Sequence, residues 1–251
     1  MERFIDKVVI VTGAGRGIGQ TCALSFANEG ATIALVDVKK DETQKTVDRL
    51  RAEGKKALAL ECDVSNSTQV QEAVNTILDK FGTVDILINN AGVLRITTPL
   101  EKIEADEWDL IMNVNVRGVF LFSKAVLPVM RKKKYGKIVN MASSAGRSTS
   151  ELGGAHYTAS KAAVLGFSRH MAREYGPYGI NVNSICPGLV ETPMIREEAS
   201  QARLDHWIGQ IPLGRFAEPG EAADLVLFLA SEQSKYITGA TIDFNGGSLL
   251  I

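Results

Sequence analysis

Short runs of aliphatic and β-branched residues alternate with stretches of helical periodicity along almost the whole chain. Val8-Val9-Ile10-Val11 is apolar at every position, as a strand buried on both faces must be. A glycine-rich turn follows, then a helix over 17–28. The alternation continues with a strand over 31–37, a charged helix over 41–53, a strand over 57–61 and a helix over 68–81. Strands over 84–89 and 136–141 flank a long helix around 107–130. A further helix contains Tyr157, and strands over 179–186 and 241–244 close the series. Near-continuous apolar strands separated by helices predict a parallel sheet covered on both faces, joined by right-handed crossovers.

The expected fold class is therefore α/β, a doubly wound Rossmann-type sheet of about seven strands. No linker, repeat or low-complexity tract divides the 251 residues, so 1–251 reads as one domain. One segment interrupts the rhythm. Residues 192–210 are polar and helix-prone and follow a strand's carboxyl end, the place for a substrate lid.

Composition narrows the function classes. A net charge of -1 argues against nucleic acid or an anionic membrane as partner. Cys22, Cys62 and Cys186 are odd in number and far apart, each in an apolar stretch, and read as reduced core thiols and not as a disulfide or metal set. The opening residues show no secretory signal pattern, and no apolar stretch is expected to reach transmembrane length. These features predict a cytoplasmic protein.

Chemistry first shows itself after strand one, in Thr12-Gly13-Ala14-Gly15-Arg16-Gly17-Ile18-Gly19. Glycines there let backbone N–H groups approach a pyrophosphate at a helix N-terminus. The strict Gly-x-Gly-x-x-Gly fingerprint is absent, and Thr-Gly-x-x-x-Gly-Ile-Gly stands instead. Asp37 ends strand two, 18 residues after Gly19. A carboxylate there accepts ribose hydroxyls and repels a 2′-phosphate, which favours NAD over NADP, whereas Arg16 could meet such a phosphate.

The second signal is Tyr157-Thr158-Ala159-Ser160-Lys161. Four residues apart on a helix, Tyr157 and Lys161 share a face. A cation beside a phenol favours the phenolate, so the pair could move a proton. Taken alone the pattern is weak and better fits two unrelated residues on an amphipathic helix.

Together with Asn89-Asn90-Ala91-Gly92, these motifs make the chain resemble the short-chain dehydrogenase/reductase family over practically its full length. The resemblance implies an NAD(P)-dependent oxidoreductase whose catalytic set is Asn115, Ser143, Tyr157 and Lys161. Asn115 lies seven residues after Trp108, with Asn113 as the competing choice; the offset to Gly146 points to Ser143, 14 before Tyr157, although Ser144 at 13 has the spacing that many relatives use. Tyr157 would act as general acid or base, Ser143 would bond the substrate oxygen, Lys161 would lower the Tyr157 pKa and hold ribose hydroxyls, and Asn115 would hold a water. The implied cofactor contacts are Gly13, Arg16, Gly17, Ile18, Gly19, Asp37, Asp63, Val64, Asn89, Ala91, Gly92, Tyr157, Lys161, Pro187, Gly188, Val190 and Thr192. The resemblance also implies a homotetramer, with the apolar end Ser248-Leu249-Leu250-Ile251 buried against a partner.

Substrate contacts are expected from Ser143, Arg95, Arg147, Glu151, His156, Arg196 and Trp207, with Arg203 and His206 nearby in the lid. The polar lid favours a polyol- or sugar-like secondary alcohol. The main alternative is a 3-oxoacyl-[acyl-carrier-protein] reductase, to which Lys132-Lys133-Lys134 could attract the carrier. A non-catalytic NAD-binding regulator is a third class.

Overall fold

The computed structural model describes residues 2–96, 98–150, 152–198 and 200–251. Seven parallel strands form one sheet: β1 (Val8–Thr12), β2 (Thr32–Asp37), β3 (Ala57–Glu61), β4 (Ile86–Asn89), β5 (Gly136–Met141), β6 (Ile180–Pro187) and β7 (Thr241–Phe244). Their order is β3-β2-β1-β4-β5-β6-β7. β1 pairs with both β2 and β4, so the chain reverses direction across the sheet at β1 and opens a crevice at the strands' carboxyl ends.

Strand alternation sorts side chains onto two faces. Val9, Val11, Ile33, Leu35, Ile86 and Ile88 pack with α1 (Gly17–Asn28), α2 (Lys40–Ala52) and α9 (Pro219–Ala230). Val8, Ile10, Ala34, Val36, Leu87 and Ile138 face α3 (Ser67–Phe81), α5 (Gly118–Lys133) and α6 (Gly154–Tyr175). Local signals set the ends. Asn66 accepts hydrogen bonds from the N–H groups of Thr68 and Gln69 to start α3, and Gly82 ends it at φ 77°. Pro219 opens α9 inside a capping box made by Glu218 and Glu221.

The expected long helix is interrupted. α4 (Ala105–Met112) passes into a π-helical turn, Asn113–Arg117, before α5 begins. Such a turn reorients the side chains that follow, and its Asn115 points into the fold at 1% exposure. The combined run Ala105–Lys133 is long and apolar enough to cross a bilayer, with a mean hydropathy of 1.4 over an 18-residue window. This corrects the expectation that no segment reaches that length. Half of the window is buried inside the fold, where Phe122, Val126 and Met130 pack on the sheet.

At the opposite end of the sheet, Asp85 accepts the Val8 N–H at 2.9 Å and pairs with Lys133. Lys133 therefore belongs to the floor of the sheet, and the Lys132–Lys134 run lies far from the crevice. That placement removes the basis for carrier attraction to the site by this run. Burial pushes the Cys22 and Cys62 thiols up to about 12 and Cys186 up to about 11, as unreactive core thiols require.

Candidate active site

The glycine loop is built for a close approach. Gly13 and Gly17 stand at φ 62° and 59°, where a side chain would be strained. A Cβ on Gly13 would come 2.7 Å from Ala91 Cα, and one on Gly19 would come 2.2 Å from the Gly13 carbonyl. Asn90 Nδ2 donates to the carbonyls of Thr12 and Gly13, both at 3.0 Å, locking the loop to β4. α1 then begins without a side-chain cap and without an acidic residue in its first turn. Its leading N–H groups are a ready anion site, and Thr192 sits across from Gly17. These residues fit the pyrophosphate of a dinucleotide.

Asn89 corrects one expectation. Its side chain is 2% exposed and donates to Asn140 Oδ1 at 2.8 Å and to Ser123 Oγ, inside the core. Asn90, next along, is the residue whose amide touches the loop. Asp63 accepts from the Ser65 N–H and hydroxyl, and buried Val64 packs against Gly118, so this pair shapes the turn after β3.

Asp37 accepts the Gly15 N–H at 2.9 Å through Oδ2 and the Lys39 N–H at 3.0 Å through Oδ1. A second acid joins it. A Cβ on Gly15 would stand 3.0 Å from Asp37 Oδ2 and 3.1 Å from Glu42 Oε2, so both carboxylates converge above this glycine. Sequence reasoning missed Glu42. The available signal was an acid in the first turn of the helix that follows Asp37.

On the far side of the crevice, Ser143 stands two residues beyond β5 with extended backbone, and Ser144 opens a short 3₁₀ turn. Ser143 is the serine whose side chain acts on the Tyr157 phenol, where hydrogen bonding from it favours the phenolate. The Tyr157 ring rests on Gly153, where a Cβ would lie 2.7 Å from ring atoms. Gly146 lets the Ser143 loop press onto α6, since its Cβ would stand 2.7 Å from the Lys161 carbonyl carbon. Lys161 Nζ donates to the Met141 carbonyl at 2.9 Å and lies 5.6 Å from the Tyr157 ring centre. Gly92 lies beside both Lys161 Nζ and Asn115 Oδ1, each 3.4 Å from where its Cβ would be.

Two electrostatic findings differ from expectation. Burial raises the Tyr157 phenol above its ordinary value, only partly opposed by the Ser143 hydrogen bond. Burial also lowers the Lys161 ammonium to about 8. In the protein alone, Lys161 therefore does not pull the phenol down. Asn115 likewise has its side chain engaged: Oδ1 accepts the Val93 N–H at 2.8 Å, and Nδ2 donates to the Val93 carbonyl at 2.9 Å and Ser160 Oγ at 3.1 Å. It braces the segment after Gly92 against α6, whereas Asn113 stays half-buried.

The residues expected at the nicotinamide end follow β6. The Gly188 N–H bonds the Phe244 carbonyl at 2.8 Å, and a Cβ on Gly188 would press on Asn245 at 3.0 Å. Pro187 and Val190 are buried, and Val190 bridges to Ala217. Thr192 opens the lid.

The lid consists of α7 (Pro193–Glu198) and α8 (Gln201–Gly209). Glu191, Thr192, Pro193 and Arg196 line an open cleft of about 510 Å³, and Arg196 pairs with Glu191. Underneath, Ile195, Leu204 and Trp207 pack with Leu152, Leu94, Leu189 and Phe216. The lid, expected to be polar, is thus polar outside with an apolar underside. Trp207 belongs to that underside at 5% exposure. Arg147 is held by Asp243 at 3.0 Å on β7. His156 is 0% exposed and bonded to Glu107, which closes it off from substrate. Arg95, Arg203 and His206 are exposed, and Glu151 lies outside the described residues.

Comparison with known proteins agrees with this geometry. Residues 13–248 match the family described as enoyl-(acyl carrier protein) reductase. A 3-oxoacyl-[acyl-carrier-protein] reductase of Thermotoga maritima is 38% identical over 248 residues, covering 99% of this chain and 100% of that one. The oxidoreductase UcpA of Salmonella typhimurium is 40% identical, covering 100% and 97%. Among solved structures, levodione reductase superposes with a TM-score of 0.94 at 35% identity, covering 98% of each chain. A 3-oxoacyl-[acyl-carrier protein] reductase from Brucella melitensis with bound NAD gives 0.90 at 33%, covering 98% of this chain and 93% of that one.

Proposed function

The chain belongs to the short-chain dehydrogenase/reductase family of oxidoreductases, and from that premise we propose that it reduces a 3-oxoacyl thioester, such as that on acyl carrier protein, with NADH. The observation that carries the reading is the meeting of Ser143 with Tyr157 at the crevice, beside a lid whose underside is apolar. An acyl chain needs such a wall, and a sugar-like alcohol does not. The relatives named as 3-oxoacyl reductases point the same way. Asp37 and Glu42 favour NAD, and the Brucella relative with NAD bound supports pairing that cofactor with this substrate class.

The bound dinucleotide supplies hydride chemistry. The N-terminus of α1 with Gly13, Gly17 and Gly19 would hold its pyrophosphate, Asp37 its adenosine ribose, and Lys161 its second ribose. Thr192 and the Gly188 turn would bound its reactive end. Ser143 donates a hydrogen bond to the substrate carbonyl oxygen and stabilises the charge that grows there. Tyr157, a phenol that is protonated at neutral pH and that burial pushes further up, gives that proton to the same oxygen. Gly153 and Gly146 fix where both groups stand by admitting no side chain beneath them.

A polyol-type secondary alcohol is the second reading, favoured by the charged cleft of Glu191 and Arg196. Steady-state kinetics on 3-oxoacyl thioesters and on polyols, with both dinucleotides, separates the two. Higher kcat/KM on thioesters with NADH supports the proposal, and turnover confined to polyols overturns it. Stoichiometric NADH binding with no turnover on the panel would instead identify a non-catalytic regulator. The three buried, reduced cysteines fit a cytoplasmic setting. The exposed Leu250 and Ile251, with half-exposed Trp108, Leu110 and Phe120 on the helices near Asn115, support a homotetramer.

A further inference from the structure

His156 and Glu107 have no place in the chemistry described so far, yet they form a polar pair beside it whose imidazole is fully enclosed. His156 has 0% exposure. Its Nδ1 accepts the Tyr157 N–H at 2.9 Å, and its Nε2 lies 2.7 Å from Glu107 Oε1. An Nδ1 that accepts cannot also hold a proton, so the ring's proton is on Nε2 and is donated to Glu107. Gly153, the residue before α6, gives that helix no side-chain cap, and the imidazole meets the N–H one turn in, at Tyr157.

The carbonyl of Tyr157 is tied in a matching way. Ser160 Oγ donates to it at 2.7 Å, and Asn115 Nδ2 donates to Ser160 Oγ. Glu107 and Asn115 lie eight residues apart on the run Ala105–Lys133. Both ends of the Tyr157 residue are thus fastened to one helical run, through His156 on the N–H side and Ser160 on the carbonyl side. A phenol on a helix that could slide or rotate against this run would lose its alignment with Ser143.

We propose that Glu107 and His156 are positioning residues that fix the Tyr157 phenol, with Glu107 selecting the Nε2–H tautomer that His156 needs. The proposal rests on Tyr157 being the proton donor. Glu107→Ala should lower kcat by about ten- to a hundredfold, the usual cost of losing a supporting hydrogen bond, with KM for NADH and substrate within about twofold. Glu107→Gln keeps an acceptor for Nε2–H and should restore kcat to within about threefold of the parent. Unchanged kcat in Glu107→Ala, or a Gln variant as slow as the Ala variant, overturns the proposal. Nitrogen NMR of the ¹⁵N-histidine-labelled parent provides a readout that needs no turnover. The proposal predicts a neutral Nε2–H ring for His156, assigned by the signal missing in His156→Asn; an Nδ1–H ring or a charged one overturns it. If no substrate turns over, the reading of the reaction fails, and the tautomer alone then judges the pair.

Discussion

Asp37 and Glu42 aim their carboxylates at one point above Gly15, at 3.0 and 3.1 Å from the place a Cβ would take. Two negative groups there oppose a 2′-phosphate more strongly than either alone. Asp37→Ser should therefore shift the NAD-over-NADP ratio of kcat/KM by only about tenfold. Asp37→Ser with Glu42→Gln should shift it by at least two orders of magnitude, about 2.7 kcal/mol at ~1.4 per decade. Steady-state kinetics with both dinucleotides checks this, and a full switch from the single variant would remove Glu42 from the account.

The titration of the site sets a pH dependence for the reduction. The working form has Tyr157 protonated and Lys161 charged. Burial raises Tyr157 above its usual value and lowers Lys161 to about 8. Reduction should hold through neutral pH and fall above about 8, as Lys161 loses its proton. A kcat/KM profile that stays level to the ordinary tyrosine range, near ~10, would show that Lys161 keeps its charge there.

Much of this was legible in the sequence because buried parallel strands announce themselves as unbroken apolar runs. Val8-Val9-Ile10-Val11 and the later strands appear within a residue or two of their expected bounds, and the sheet is the one anticipated. The choice of Ser143 over Ser144 rested on its offset from Gly146 and that of Asn115 over Asn113 on its distance from Trp108; Ser143 acts on the Tyr157 phenol, and Asn115 Oδ1 lies beside Gly92. Side-chain direction was not legible. Asn89 and His156 stand next to cleft residues in sequence but turn inward, and the lid hides Trp207 beneath a polar surface. The π-helical turn at Asn113–Arg117 left no mark because its residues suit an ordinary helix.

Fold stability should depend on a pair far from the site. Asp85 accepts the Val8 N–H and holds Lys133, which burial pushes below its ordinary value. Asp85→Ala leaves a buried N–H without its acceptor and the Lys133 ammonium with Thr83 Oγ1 and the Val84 carbonyl, at a cost of about 3 kcal/mol. For a chain of this size that lowers Tm by roughly 6–12 °C. Asp85→Asn still accepts from Val8 and should lose about half as much. Differential scanning calorimetry decides; equal losses would assign the whole effect to the ion pair.

Assembly is tested independently of activity. Leu250 and Ile251 are 84% and 70% exposed in the single chain. Light scattering should give four times the 27.1 kDa chain mass, and removing the last four residues should weaken that state. A monomer at micromolar concentration contradicts the proposed tetramer.

The most direct test of the central claim follows NADH consumption on adding a 3-oxoacyl thioester to the parent and to Tyr157→Phe. The variant keeps the ring on Gly153 and loses only the hydroxyl that meets Ser143. The account predicts steady NADH oxidation by the parent and turnover at least ~100-fold slower in the variant, with NADH affinity little changed. A variant that turns over as fast as the parent would contradict it, and so would a parent that leaves the thioester untouched while acting on polyols.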